Sequence, residues 1–167
     1  MNNHGFIDMD VAKYDMERNS RNGFSEVILC EGKKVDHLLK ILDGLVGKNV
    51  NIFGTRVSDE VANIVCAKFP KAKHDDTSRT FKIINQPIKS VKANLGIICA
   101  GTSDIVVAEE VLQTAAFHGI EAVKFYDVGV AGIHRLLAHV EELKKLDVAI
   151  VVAGMEGALP SVVGGLV

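Results

Sequence analysis

The sequence has no apolar run approaching the roughly 18 residues that a membrane span requires. Its start, Met1 to Asp15, mixes polar and charged side chains and lacks the apolar core of a signal peptide. These absences point to a soluble, cytoplasmic protein. Cysteine is scarce: Cys30, Cys66 and Cys99 lie far apart with no CxxC spacing. An odd count at such spacing fits neither a disulfide framework nor a zinc site. Each is expected to pack as a small apolar side chain, and no metal site is expected. An excess of one charge is missing too. The 19 basic and 21 acidic residues leave a net charge of -2, and the basic ones are scattered. Duplex binding needs a concentrated basic face, so nucleic acid is not the expected partner. What remains is an ordinary globular balance, 48% hydrophobic and 24% charged, enough for a core.

Met1 to Gly23 shows no period and reads as an irregular arm of residues 1–23. A small α/β domain is expected over 24–85. Glu26 to Cys30 reads as a strand. Val35, Leu38, Leu39, Leu42, Leu45 and Val46 recur at helical spacing, which predicts a helix over 34–46 with Gly47 at its end. Val50 to Phe53 is a second strand. Ser58 caps a helix whose inner face is Val61, Ile64, Val65 and Phe69, with Pro70 beyond it. Residues 71–85 read as a hairpin. Gln86 to Ala93 is the linker.

From 94 to 167 the pattern is regular. Leu95 to Ala100 is an apolar run ending at Gly101, as a buried parallel strand should. A helix starts at Ser103 or Asp104 and stops at Gly119. Ala122 to Tyr126 is the next strand, 133–143 the next helix, and Val148 to Ala153 a third buried strand. Strands alternating with helices imply right-handed crossovers and a doubly wound parallel sheet of flavodoxin or Rossmann type. A last apolar helix begins after Pro160. Three strands make a thin sheet and nothing covers that helix, so the domain is expected to continue beyond this chain.

In such sheets ligands gather at the C-terminal strand ends. Three loops sit there. The first is Gly101-Thr102-Ser103-Asp104. Glycine lets the backbone approach a ligand, the following helix offers free amides to a phosphate, and Thr102 and Ser103 add hydroxyls. Asp104 would repel a bare phosphate and suits a ribose hydroxyl or a water. The same turn equally suits a plain helix cap by Ser103 or Asp104. The second loop, Asp127 to Gly132, carries Gly129 and Gly132 and is followed by His134 and Arg135. Arg135 either pairs a ligand's carboxylate or phosphate or is simply solvated. The third is Gly154-Met155-Glu156-Gly157. A carboxylate between glycines at the end of a buried strand is costly unless used or paired. His118 and His139 read as surface residues.

Gly101 to Asp104, Ala153-Gly154 and Leu159-Pro160 together resemble the PurE phosphoribosylaminoimidazole carboxylases. In that family the first motif grips the ribose phosphate and the second carries a histidine just before Leu-Pro. Ala158 takes that place here, so the purine carboxylase's acid/base is missing. The fuller resemblance is to LarB, the nickel-pincer nucleotide biosynthesis relative of that family. It is carried by Tyr126 to Arg135, by Ala153 to Leu166, and more loosely by Arg21 to Ile28 and Gly54 to Val57, so it spans nearly the whole chain.

The resemblance implies an enzyme that takes nicotinic acid adenine dinucleotide, carboxylates its pyridinium ring with CO2 or bicarbonate, and hydrolyses the phosphoanhydride. The products are pyridinium-3,5-biscarboxylic acid mononucleotide and AMP. Asp104 and Glu156 would manage protons or water. Gly101, Thr102, Ser103, Asp127, Gly129, Gly132, Arg135, Gly154, Met155 and Gly157 would hold the ligand. No tightly bound cofactor is implied, only Mg2+ accompanying the substrate, and the expected assembly is a homo-oligomer. A family cysteine attacks the ring, and none of the three cysteines here matches its motif. The alternatives are a purine-pathway carboxylase or mutase and a non-catalytic nucleotide-binding module.

Overall fold

The computed structural model describes residues 5–167, and the chain divides into two compact units with the boundary between Pro87 and Ile88. The first unit opens with a difference from the sequence reading. Strands β1 (Phe6–Asp8) and β2 (Lys13–Asp15) pair antiparallel and helix α1 (Arg18–Asn22) follows, so this stretch is not an irregular arm. Strands this short show no alternation, and they are held by packing instead. Tyr14 is part of the unit's core, with Ile7, Met9, Val11, Ala12 and Met16 against it. Residues 1–4 of the expected arm lie outside the described residues.

The rest of the first unit runs β3 (Ile28–Leu29), α2 (Val35–Val46), β4 (Ile52–Thr55), α3 (Asp59–Lys68), β5 (Ala72–Asp75) and β6 (Thr80–Ile83). The sheet order is β3-β4-β6-β5, with β3 and β4 parallel and the other pairs antiparallel. In α2, Leu38, Ile41, Leu42 and Leu45 are all buried. They fall at i, i+3, i+4 and i+7, one face of a helix. The Ser58 side chain accepts the Val61 amide at 3.4 Å and caps α3.

The second unit runs β7 (Val91–Cys99), α4 (Ile105–Phe117), β8 (Ile120–Phe125), α5 (Ile133–Leu137), α6 (Val140–Leu143), β9 (Val148–Val152) and α7 (Ala158–Leu166). β7 starts earlier than its apolar run and takes in residues read as linker. The sheet order is β8-β7-β9, parallel throughout. Alternation along β7 feeds two cores. Ile97 and Cys99 meet Ala108 of α4 on one face, while Ile98 meets Phe125, Leu136, Leu143, Leu159 and Val163 on the other. Helices on both faces of a parallel sheet make this the doubly wound α/β unit that the sequence pattern implies. Gly119 ends α4 at φ +83, and a Cβ there would stand 2.0 Å from the Lys89 carbonyl oxygen, so this turn accepts only glycine.

Three details differ from the sequence reading. The helix expected over 133–143 is broken at Ala138 and His139 into α5 and α6. β9 is an edge strand, with Val148 53% and Ile150 36% exposed, because α4 packs on β7 and β8. Apolar composition specified a strand but not what covers it. Finally, α7 begins at Ala158, so Pro160 sits inside its first turn, where the missing amide has no intrahelical partner to lose. No helix among the described residues is long and apolar enough to cross a membrane.

Candidate functional site

Parallel strands all end at one edge, so the loops after β7, β8 and β9 meet. They line a single cavity of about 480 Å3, a volume suited to a small-molecule ligand.

The first loop is a tight turn closed on itself. The Gly101 amide donates to Asp104 Oδ2 at 2.8 Å and the Asp104 amide donates to the Gly101 carbonyl at 3.0 Å. Asp104 therefore caps the turn, and the Gly101 amide is already used. A Cβ on Gly154 would lie 3.7 Å from Asp104 Oδ1, so this carboxylate also faces the third loop. The 3-10 turn Thr102–Asp104 leads straight into α4. The first amides of such a helix have no intrahelical acceptor and favour an anion.

The second loop is clamped to the end of β7. The Val128 amide donates to the Cys99 carbonyl at 3.1 Å and the Gly129 amide to the Ala100 carbonyl at 2.9 Å. A Cβ on Gly129 would stand 2.7 Å from that same Ala100 oxygen, which is why glycine is needed here. Asp127 adopts φ +57, a left-handed conformation that Asp and Asn tolerate better than most residues. Its Oδ2 pairs with Arg135 Nη1 at 2.5 Å. Arg135 reaches it by passing over Gly132, where a Cβ would lie 2.7 Å from Nε.

The third loop is the most open. The Gly157 amide donates to the Gly154 carbonyl at 3.0 Å. Met155 is fully exposed at φ +44, and Gly157, at φ +66, precedes α7. Glu156 is exposed as well. The burial cost that singled it out in the sequence is therefore absent, because the chain leaves the sheet before reaching it.

Of the residues expected from sequence, Gly101, Ser103, Asp104, Asp127, Gly129, Arg135, Gly154, Met155 and Glu156 line the cavity. Thr102, Gly132 and Gly157 are not among the lining residues. Gly132 acts from beneath Arg135, and Gly157 sets the start of α7. Sequence reasoning missed the apolar wall made by Ala100, Val130, Ala131, Ala153 and Leu159. Its signal was adjacency to the glycine motifs. Ala158, which stands where the purine carboxylases carry histidine, lines the cavity too.

Cys99 lies below the first loop and is buried. Burial pushes its thiol pKa up, with the nearby Asp104, Asp127 and Glu109 charges acting in the same direction. It stays a neutral thiol at neutral pH. The two histidines read as surface residues are partly buried at helix ends. His118 packs edge-on to Phe117, and burial lowers its pKa. His139 packs edge-on to Phe125 and lies 3.2 Å from Glu142. Among the described residues, no group of three His, Cys, Asp or Glu side chains is placed to hold a metal ion. A second cavity, about 600 Å3, includes Asn94, Leu95, Val123 and Leu146 in its wall. It lies toward the starts of the strands, away from the glycine loops.

Residues 6–86 match the family model of the LarB/PurE-like N-terminal domain. An uncharacterized protein of Methanocaldococcus jannaschii is 40% identical over 163 residues, covering 93% of this chain and 64% of its own length. The chain thus spans less than two thirds of that relative.

Proposed function

We propose that the chain, whose residues 6–86 match the family model of the LarB/PurE-like N-terminal domain, acts in a carboxylation of a pyridine dinucleotide. The substrate is nicotinic acid adenine dinucleotide. CO2 or bicarbonate supplies the new ring carboxylate, and water cleaves the phosphoanhydride to release AMP and pyridinium-3,5-biscarboxylic acid mononucleotide. The observation that carries this reading is the convergence of the three strand-end loops on one cavity, with Arg135 and Asp104, the residue before α4, on its wall.

The division of labour follows from chemistry. The first turn of α4 suits a phosphate and Arg135 a second anionic group. The wall of Ala100, Val130, Ala131, Ala153 and Leu159 suits the flat face of a ring. Asp104 and Glu156, both on the cavity wall, would handle a ribose hydroxyl, a ring proton or a water. If Mg2+ takes part, it arrives on the substrate's diphosphate. A pyridinium ring is electron-poor, and a nucleophile must add before a ring carbon can attack CO2. None of the three cysteines is assigned that role: none matches the motif of the family cysteine, and Cys99 is buried as a neutral thiol. The purine reading is disfavoured by Ala158, which offers no proton at the cavity wall.

Calorimetric titration separates the two substrates. Nicotinic acid adenine dinucleotide should bind more tightly than aminoimidazole ribonucleotide. Equal or reversed affinities would refute the proposal.

A further inference from the structure

We propose that Asp127 is a built-in competitor of the ligand's anionic group for Arg135, so that the second loop itself sets how tightly a phosphate ester is held. The inference rests on the preceding reading only in taking the ligand to be phosphorylated.

Among the described residues lining the cavity, Arg135 is the only cation, against the carboxylates of Asp104, Asp127 and Glu156. Its guanidinium is engaged by Asp127 at 2.5 Å. Away from the amides at the start of α4, a phosphate that entered and left this pair intact would meet three carboxylates and a cation already partnered. Its favourable contact comes from exchange: the guanidinium turns from the Asp127 carboxylate to the phosphate oxygens, which its planar fork can grip with two donors at once. The exchange is easy because the pair is wet, with the side chains 39% and 54% exposed, and solvated ion pairs are weak.

Two backbone features favour this arrangement. Asp127 at φ +57 occupies a conformation that glycine or asparagine would fill at least as readily, yet the residue present aims a carboxylate at the arginine. Gly132 leaves room for the arginine stem, since a Cβ would stand 2.7 Å from its Nε. An ordinary surface ion pair that merely stiffens the loop makes the opposite forecast for binding, because loosening the loop would weaken it.

The experiment titrates AMP and ribose 5-phosphate into the full chain and into Asp127→Asn, Arg135→Ala and the double variant. Asparagine keeps both the size and the left-handed conformation, and thermal unfolding checks that each variant is folded. Asp127→Asn should bind both esters about two- to fivefold more tightly, the scale of an exposed ion pair. Arg135→Ala should bind more weakly, and the gain from Asp127→Asn should vanish when Arg135 is absent. Unchanged or weaker binding by Asp127→Asn overturns the proposal. So does a gain that persists without Arg135, which would mark simple removal of a repelling charge. If the esters bind but nicotinic acid adenine dinucleotide does not, the substrate reading falls and this test still decides. If no protein binds either ester, both fall.

Discussion

At the scale of single residues, the site depends on atoms that are missing as much as on those present. Gly129 lets the second loop lie against the Ala100 carbonyl, and a methyl group there would stand 2.7 Å from its oxygen. Backbone cannot retreat as a side-chain tip can. Gly129→Ala should therefore destabilise the second unit by about 1–3 kcal/mol, the usual cost of overpacking, which urea denaturation would register. An unchanged midpoint would mean the loop is free to move. The cysteines give a pH-dependent test. Cys30 is buried and its thiol pKa is pushed from 9.0 up to about 12, chiefly by desolvation. The folded form then holds its proton over a range where the unfolded chain releases it. Its stabilising contribution is complete below pH 9.0 and is lost as pH rises through about 12. Tyr14 shifts from 10.0 to about 12 and acts in the same sense. Denaturation followed from pH 8 to 11 should show stability falling, and less steeply in Cys30→Ala, at about the pH values these shifts set. An identical slope in both proteins would contradict the burial of that thiol.

At the scale of elements, α2 and α3 show which local signals have energetic weight. Leu42 is fully buried in α2, so Leu42→Ala should cost about 2–5 kcal/mol. Ser58→Ala removes one capping contact and should cost about 1 kcal/mol. Chemical denaturation of both variants checks the ranking, and a cap that outweighed the leucine would contradict it. The same contrast explains how much of the fold was legible. The α2 stripe and the parallel strands ending in glycine announce themselves by period and by punctuation, and with them the three loops of the site. The hairpin of β1 and β2 does not, since three-residue strands carry no period and are fixed by distant packing. The break between α5 and α6 and the exposure of β9 were equally hidden, because both depend on neighbours in space. The pairing of Arg135 with Asp127 belongs to this class. Each residue was picked out from sequence, but their contact is set by the left-handed turn at Asp127 and by the path of the arginine over Gly132. For Glu156 the burial alone differs: the sequence suggested a buried carboxylate, and the chain places it in water on the rim of the cavity.

At the scale of the whole molecule, a first unit that matches the family model of the LarB/PurE-like N-terminal domain over residues 6–86 and a doubly wound unit are joined in one chain, and each has its own core. The second unit exposes Val106 and Val107 of α4 and Val148 and Ile150 of β9. Exposed aliphatic side chains of this kind favour association, and a homo-oligomer is part of what we propose. Light scattering at micromolar concentration should report more than one chain per particle, and a clean monomer would remove that part of the proposal. The placement of the ligand can be measured directly by amide hydrogen exchange, with and without saturating nicotinic acid adenine dinucleotide. Protection should appear in Thr102 to Asp104, Asp127 to Gly132 and Gly154 to Gly157, and should be reduced in Arg135→Ala at the same ligand concentration. Protection confined instead to the wall of the other cavity, around Asn94, Val123 and Leu146, would contradict the assignment of the strand-end loops as the site.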